Sequence, residues 1–237
     1  MPDMSPWPAS PLIAADWKDL DPAEGVPLAA LLGAELAEQG LSGAVSAALL
    51  RRFRAAPMSF YPGWLLVEFE ARLPDGAIGL ADFLYGPGRR IVLLDGTSGP
   101  IHRANRRALA PLASPPLAVD YLRLFCGQLF ADEGRFLIVE SEADLAARLA
   151  AGRPPPAVAS KVRPMRVRAP RDGEPEQGWI VDANILYGST LFAGTYHLSD
   201  GDVRMIGDEP IGEVDVEAER WASPFRLVGA GPMPLLH

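Results

Sequence analysis

The sequence predicts an α+β protein in which two antiparallel three-stranded β-meanders pack against several amphipathic helices. Apolar and polar residues alternate along segments that begin at Trp64 and Trp179, a pattern typical of strands with one buried face. Tight-turn dipeptides, of which Asp75-Gly76 is one, divide these segments into short strands. Elsewhere apolar residues recur every three or four positions, which predicts helices that pack on the strands.

Two helices are predicted near the start of the chain. Residues 1–16 are rich in proline and show no periodicity, so we expect an extended arm that docks through Trp7 or Trp17. A helix over 27–39 follows, because its leucines recur at helical spacing. A second helix over 42–55 is expected to pair with the first as a helical hairpin.

Each meander is predicted to contain three strands joined by tight turns. The predicted strands are 64–73, 78–85 and 90–94 in the first meander and 180–187, 191–198 and 203–206 in the second. Both meanders start with a Gly-Trp pair, at Gly63 and Gly178. This likeness reflects either an old duplication or the few ways in which antiparallel meanders are built, and the sequence leaves both explanations open.

A helix, a strand and another helix are predicted between the meanders. They cover 116–131, 136–139 and 141–152. The proline run from Arg153 to Pro156 then predicts a stiff linker. The predicted domains are therefore 1–152, with the helical hairpin, the first meander and the following helices, and 157–237, with the second meander. We expect the two to pack together as one compact unit.

The composition limits the classes of partner and location. The chain of 237 residues is 49% hydrophobic with a net charge of −8 and one cysteine, so we expect a packed core without disulfides. Its acidic ends and basic middle segments argue against nucleic acid, whose partners are normally basic overall. Apolar runs are too short to span a membrane and the start lacks a secretory signal, which predicts a soluble cytoplasmic protein. Abundant alanine, arginine, proline and glycine suggest a bacterial source.

The segment around residues 94–102 is the most enzyme-like part of the sequence. Asp95, Ser98 and His102 follow a predicted strand, and active sites often lie at such places. The segment lacks the second glycine of a G-x-S-x-G elbow and the Gly-Lys-Ser/Thr of a phosphate-binding loop. A small hydrolase or transferase centred on this 95–102 loop is therefore an alternative function, and an ordinary turn is the competing interpretation.

Other catalytic and metal sites have little support in the sequence. A triad of Ser98, His197 and either Asp182 or Asp208 stays open, because triads are assembled in space rather than in sequence. Cys126 lies on the apolar stripe of its predicted helix, where we expect a buried and inert thiol. The histidines show no metal-binding spacing, so no metal and no cofactor are predicted.

Aromatic and basic residues are the candidate binding elements. Aromatic side chains at the ends of the meanders predict either a groove for a peptide or small ligand, or rings that close the ends of the core. These residues are Tyr61, Trp64, Trp179 and Tyr187. Arg103 and Arg106, followed by Arg107, predict either an anion site or the solvated face of a helix.

Two charged segments complete the pattern. Residues 161–171 predict a strand with one basic face, which carries Lys161, Arg163, Arg166 and Arg168. The acidic segment 208–219 predicts an exposed surface, with a divalent cation or a basic partner as alternatives, and the basic strand is expected to pair with it. An anion or nucleic-acid site that combines 161–171 with the arginines of 103–107 is a third hypothesis.

The sequence contains no complete catalytic set, which favours a non-catalytic binding or protein-interaction module. Its expected partner is a protein or a small-molecule ligand. The sequence leaves open both the identity of this partner and the oligomeric state.

Overall fold

The computed structural model describes residues 6–9, 11, 13, 15–38, 50–73, 76–150, 152–175, 177–216 and 220–228. In chain order the elements are β1 (Lys18–Asp19), α1 (Pro22–Glu38), β2 (Leu50–Pro57), β3 (Leu65–Arg72), β4 (Ile78–Gly86), β5 (Arg90–Leu93), α2 (Ser98–Ala108), α3 (Pro115–Gln128), β6 (Phe130–Ala131), β7 (Gly134–Arg135), β8 (Leu137–Val139), α4 (Glu142–Ala146), α5 (Pro156–Ala159), β9 (Arg166–Arg168), β10 (Trp179–Tyr187), β11 (Thr190–Ser199), β12 (Asp202–Glu213), β13 (Arg220–Ala222) and β14 (Phe225–Val228). Helices and antiparallel sheets occur together, which confirms the α+β class. Among the described residues, no helix has both the length and the apolarity that crossing a membrane requires.

The chain divides into two compact units. The first combines Met1–Asp95 with Glu219–His237, and the second is Gly96–Ala218. The segment from Arg153 to Pro156, predicted as a linker, lies inside the second unit. Strands β13 and β14 complete the sheet of the first unit, because β14 pairs with β4.

One face of the first sheet forms the core of the first unit. The strand order is β1-β2-β3-β4-β14-β13, and β5 also pairs with β4. Phe69, Phe83 and Phe225 are fully or almost fully buried on this face, together with Leu32 and Leu36 of α1. Burial of one such side chain stabilises the fold by about 2 kcal/mol, so this layer dominates the stability of the unit.

Helix α1 begins before the predicted residue 27. Asp21 Oδ1 accepts a hydrogen bond of 2.9 Å from the Glu24 backbone N–H, and Glu24 Oε2 accepts one of 3.0 Å from the Asp21 N–H. This reciprocal cap satisfies two amides at the helix start, which moves the start to Pro22 and leaves Pro27 inside the helix.

The predicted helix over 42–55 is wrong in its described part. Residues 50–55 belong to β2, which pairs with β3, while residues 42–49 lie outside the described residues. Phe53 contributes to the core, whereas Arg54 on the opposite face contacts Glu68 of β3. The segment forms a strand although its apolar spacing fits a helix. Pairing with β3 both buries the Phe53 ring and neutralises the Arg54 guanidinium.

The opposite face of the first sheet carries a network of ion pairs, which we call the ionic face. Arg54 Nε donates to Glu68 Oε1 at 2.8 Å, and Arg226 Nη2 donates to Glu68 Oε2 at 3.3 Å. Arg52 Nε donates to Glu70 Oε2 at 2.8 Å. Arg54 and Arg52 lie directly opposite Glu68 and Glu70 on the neighbouring strand, so two of these contacts are cross-strand ion pairs.

Burial changes the pKa of Glu68, the central carboxylate of the ionic face. Glu68 is 1% exposed. Burial, and after it the nearby Asp82 carboxylate, raises the pKa of Glu68 to about 7, although Arg226 and Arg54 act in the opposite direction. Loss of hydration therefore outweighs the attraction of the two guanidinium groups.

The N-terminal arm covers part of the ionic face. The Trp7 ring lies 4.6 Å from the guanidinium carbon of Arg52 and 4.2 Å from that of Arg54. Trp7 Nε1 donates a hydrogen bond of 2.8 Å to Asp19 Oδ1, and the Trp17 ring lies 5.4 Å from the Arg54 guanidinium carbon. The expected docking through Trp7 or Trp17 is confirmed, and both rings take part.

The second unit is built on a separate sheet. Its strand order is β12-β11-β10-β8, and β9 pairs with β10 along the edge that β8 also uses. Helix α3 packs against β8 and β10, and an apolar cluster that includes Val158, Leu186 and Leu191 fills one end of the sheet. The predicted pairing of the basic and acidic segments is wrong, because β10 and β11 lie between β9 and β12.

A polar anchor fixes the turn before β12. Tyr121 Oη donates to the Gly201 carbonyl at 2.7 Å, and Asn105 Nδ2 donates to the same oxygen at 2.8 Å. Gly201 has φ 80°, and a Cβ there would lie 2.6 Å from the Leu109 side chain. Two register shifts along β11 then let β12 continue to Glu213, well beyond its predicted end.

Two predicted helices of the second unit differ in how well their ends were placed. Helix α3 ends within a few residues of the predicted 116–131 boundary. Ser141 Oγ caps α4 by accepting a hydrogen bond of 3.1 Å from the Asp144 backbone N–H, as the sequence predicts. This helix ends at Ala146, whereas the sequence predicts an end near residue 152.

Candidate functional site

The predicted catalytic residues lie around the start of α2. Ser98 is the first helical residue and His102 lies one turn later, with its ring 6.0 Å from the Phe125 ring. Asp95 belongs to the first unit. The segment from Ser98 onward is helix rather than the predicted loop, since Pro100 is compatible with a first helical turn. A hydrolase or transferase centred on these residues stays a prediction.

The arginines of α2 form a solvated face. Arg103, Arg106 and Arg107 are exposed, whereas Ile101 and Ala104 are buried. Arg106 and Arg107 lie in the last helical turn, where positive charge interacts favourably with the helix dipole. This position gives the two side chains a structural role, and their role in binding an anion stays a prediction.

The aromatic residues of the first unit are core residues. Tyr61 is fully buried and Trp64 is 5% exposed. The Trp64 ring packs on Gly86 so closely that a Cβ there would lie 2.4 Å from it. Of the two interpretations given by the sequence, the arrangement favours closure of the core end.

The aromatic residues of the second unit have different environments. Trp179 Nε1 donates a hydrogen bond to the Leu112 carbonyl and so fixes the loop before α3. Tyr187 stacks on Phe136 with ring centroids 4.6 Å apart and lines a cavity. Tyr187 is thus the member of the predicted aromatic set that faces an open space in the described structure.

His197 and Asp182, two members of the triad that the sequence leaves open, each contact another partner. His197 Nε2 lies 2.7 Å from the Gln177 carbonyl, and Asp182 Oδ1 accepts a hydrogen bond of 2.9 Å from Thr195 Oγ1. Among the described residues, no hydrogen bond joins His197 to Asp182. Cys126 is buried, which raises the pKa of its thiol to about 12 and keeps it protonated at neutral pH.

An open groove of about 690 Å³ crosses one face of the second sheet. We call it the charged groove. Its floor consists of small and polar residues of the two central strands, Asp182, Asn184, Ala193, Gly194 and Thr195. Small side chains at these positions leave the sheet surface accessible along the width of the groove.

The charged groove has rims of opposite sign. The basic rim consists of Lys161, Arg163 and Arg166, and the acidic rim consists of Glu209, with Asp208 next to it on the edge strand. Arg166 lies on β9 and the acidic pair on β12, with β10 and β11 between them. Three inter-strand steps of about 4.8 Å separate the rims by about 14 Å. The strand order therefore creates a dipole across the groove.

The rim charges have no ion-pair partner among the described residues. Their side chains are exposed, and none of them forms an ion pair within the described part of the chain. The neighbouring Arg168 is different, because its guanidinium contacts Glu174 at 2.6 Å. Charges of both signs are thus held apart on one surface, where a ligand with complementary charges can satisfy them.

Hydrogen bonds in the floor hold the basic rim in place. Asn184 is 6% exposed, and its Oδ1 accepts a hydrogen bond of 2.7 Å from the Arg163 backbone N–H. Asp182 opposes Arg166 across the β9–β10 pair and is bonded to Thr195. The basic segment is therefore fixed to β10 through its backbone, and within it Arg163 Nη1 also donates a hydrogen bond of 2.6 Å to the Val162 carbonyl.

Gly207 lies in the groove at an unobstructed position. It opposes Thr195 across the β11–β12 pair and lines the groove. A Cβ at Gly207 would meet no atom within 4 Å. A side chain introduced at this position therefore starts in open space on the groove surface.

The sequence identified the charges of this site but not their arrangement. It assigned Lys161, Arg163 and Arg166 to one basic strand and Asp208 and Glu209 to an acidic segment. It placed the two segments side by side, whereas two strands separate them. The floor residues carry no motif, and the alternation of small and polar residues along β11 was the available signal.

No family model matches the chain, and neither a curated protein nor a solved structure matches it. Within the described residues, no group of three or more histidine, cysteine, aspartate or glutamate residues is placed to hold a metal ion. The geometry of the charged groove is accordingly the observation on which a functional proposal rests.

Proposed function

We propose that the chain is a non-catalytic binding module that binds a short zwitterionic peptide across the charged groove. The observation that carries this proposal is the pair of rims of opposite sign, whose charges form no ion pair within the described residues. The ligand carboxylate would contact the basic rim, and its ammonium group would contact the acidic rim. The groove thereby determines the direction in which the peptide lies.

The separation of the rims sets the length of the ligand. An extended chain covers about 3.3–3.6 Å per residue, so a span of about 14 Å corresponds to about four residues. A single amino acid is too short to reach both rims at once. The small residues of the floor allow the peptide backbone to approach the sheet closely.

The electrostatics favour a dipolar ligand over a polyanion. A nucleic acid or another polyanion would be attracted by Lys161 and Arg166 but repelled by Glu209 on the other rim. Because all of these charges are exposed, each ion pair with a ligand contributes only about 0.2–1 kcal/mol. We therefore expect weak binding whose strength falls as salt is added.

The test compares tetra-alanine with free termini against the same peptide acetylated at its N-terminus or amidated at its C-terminus. Isothermal titration calorimetry at low salt measures the dissociation constants. We expect each block to weaken binding by about fivefold, the loss of about 1 kcal/mol from one ion pair. Equal affinity of the free and blocked peptides would contradict the proposal, and so would the absence of binding to the free peptide.

Three variants assign the binding to the groove. Arg166→Glu should weaken binding of the free peptide and reduce or reverse the effect of C-terminal amidation, because it places a negative charge beside the ligand carboxylate. Gly207→Trp should abolish binding by filling the groove. Arg204→Glu is the matched control, since it makes the same change of charge at an exposed side chain outside the groove lining. An equal loss in Arg204→Glu and Arg166→Glu would overturn the assignment.

A further inference from the structure

A second cavity of about 260 Å³ lies on the opposite face of the second sheet. Ile185 and Tyr187 of β10 line it, whereas Asp182 and Asn184 of the same strand line the charged groove. Side chains alternate between the faces of a strand, so Asp182 and Asn184 face one cavity and Ile185 and Tyr187 face the other. We call this cavity the aromatic pocket, because rings of Phe136, Tyr187, Phe192 and Tyr196 line it.

Two of these rings are held in a fixed arrangement. Phe136 and Tyr187 are parallel within 1° and stack at a centroid distance of 4.6 Å. The Glu133 backbone N–H donates a hydrogen bond of 3.2 Å to Tyr187 Oη, which restrains the second ring. A wall of fixed rings presents its π electrons to a ligand without first losing side-chain entropy.

A glycine makes room for a third ring. The Tyr196 ring lies against Gly194 so closely that a Cβ there would be 2.8 Å from it. Burial, with smaller contributions from Cys126 and Asp208, raises the pKa of Tyr196 above its ordinary value. The phenol is therefore neutral at physiological pH, and the ring does not carry a negative charge of its own.

We propose that the aromatic pocket binds a small organic cation, in particular a quaternary ammonium group. Aromatic rings attract a cation that lies within about 6 Å of their centroids, and quaternary ammonium ions are the ligands for which such pockets are best suited. Asp208, which also lines the pocket, supplies the complementary negative charge. A neutral ligand would desolvate this carboxylate without compensating it.

The size and lining of the pocket narrow the ligand further. A volume of about 260 Å³ is below the range of about 300–1,000 Å³ typical of sites for drug-sized ligands, so it suits a head group rather than a larger molecule. A quaternary ammonium group needs no hydrogen-bond acceptors and is more weakly hydrated than a primary ammonium group. A pocket with many rings and one carboxylate fits the first better than the second.

The aromatic pocket is independent of the proposed peptide site except at its edge. It lies on the other face of the sheet, and the two sites share Gly194 and Asp208. Arg166→Glu, which should weaken peptide binding, changes no residue of the pocket lining. Arg166→Glu therefore tests the peptide site without changing a residue that lines the aromatic pocket.

The experiment compares choline with 3,3-dimethylbutan-1-ol, which has the same shape and lacks the charge. Chemical-shift titration of the full chain by NMR gives both dissociation constants. We expect choline to bind about tenfold more tightly than the neutral alcohol, because cation–π contacts and the carboxylate act only on the cation. Equal affinities, or no binding of choline up to about 20 mM, a concentration well above millimolar dissociation constants, would overturn the proposal.

Variants separate cation recognition from simple apolar contact. Phe192 is half-buried, so Phe192→Leu keeps apolar surface while it removes one ring. We expect it to weaken choline binding about fivefold and to change binding of the alcohol by less than about twofold. Asp208→Asn should also weaken choline binding about fivefold, whereas Arg204→Ala, on the same strand outside the pocket lining, should not. Equal weakening of both ligands by Phe192→Leu would contradict recognition of the charge.

Discussion

The two sheets of this protein both carry charged side chains on one face, but they use these charges in opposite ways. On the ionic face, Arg54 and Glu68 are 6% and 1% exposed and lie in direct contact. In the charged groove, the side chains of Arg166 and Glu209 are exposed and are held on strands that two others separate. Paired buried charges are not available to a ligand, since separating them leaves an uncompensated charge inside the protein. Exposed charges held apart are available to a ligand.

The two charged surfaces also differ in whether other parts of the chain cover them. The arm places the Trp7 ring over Arg52 and Arg54, so aromatic surface as well as carboxylates satisfies these guanidinium groups. Small residues form the floor of the charged groove, and a Cβ at Gly207 would meet open space. The first charged surface is closed by the chain itself, whereas the second is open.

Removal of one arginine from each face should give the largest difference between them. We expect Arg54→Met to lower the free energy of unfolding by about 3 kcal/mol, because it leaves the buried Glu68 without its closest partner. Arg166→Met should change it by less than about 0.5 kcal/mol, since this exposed side chain has no ion pair within the described residues. Urea unfolding followed by tryptophan fluorescence measures both values. Similar small effects of the two substitutions would remove the distinction between the faces.

The free energy of unfolding should also depend on pH in opposite directions for one carboxylate of each unit, Glu68 and Glu174. The folded-state pKa of Glu68, about 7, lies above its ordinary value of 4.5. Between these values the folded protein keeps a proton that the unfolded chain releases, so the free energy of unfolding should fall as pH rises. The fall is complete above about pH 7 and amounts to at most about 3 kcal/mol. Glu68→Gln should remove this slope, and a wild-type stability that rises over the same interval would contradict it.

Glu174 in the second unit should respond in the reverse direction. A hydrogen bond from the Arg168 guanidinium, and one from the Arg171 backbone N–H, lowers the pKa of Glu174 to about 2. The stabilisation is present above the ordinary value of 4.5 and is lost as pH falls towards 2. Comparison of wild type with Glu174→Gln over this acidic range isolates the contribution, and an identical profile of the two proteins would rule it out.

Removal of the arm contact should have the smallest effect on the ionic face. We expect Trp7→Ala to lower the free energy of unfolding by about 1 kcal/mol, because the ring lies over two guanidinium groups near the surface. Trp7→Phe is the matched control and should lose less, since phenylalanine keeps an aromatic face but attracts a cation more weakly. Equal losses in both variants would indicate that the indole hydrogen bond to Asp19, rather than the ring, holds the arm.

Local patterns predicted the elements that depend on local chemistry. Period-two alternation located β3 and β10 within a residue or two, and the apolar stripe located α3. The cap at Ser141 was likewise predictable, because its side chain accepts a hydrogen bond from a backbone amide only three residues away. The capping box at Asp21 carries a similar local signal, but the helical periodicity placed the start of α1 too late.

Long-range pairing decided the elements for which the sequence prediction was wrong. Residues 50–55 have apolar spacing that fits a helix, but pairing with β3 places Phe53 in the core and Arg54 against Glu68. The basic segment pairs with β10, whereas the acidic strand β12 pairs with β11. Neither choice is encoded in neighbouring residues, since the partners lie far away along the chain.

The sequence by itself determined the α+β class, the segregation of charge into basic and acidic segments and the inert character of Cys126. These properties follow from composition and periodicity, which act over a few residues. Only the tertiary structure decided which charges are paired and which are held apart, because the order of strands in a sheet sets those distances. Strand order placed Glu68 between Arg54 and Arg226, and it set Arg166 and Glu209 on opposite rims of an open groove.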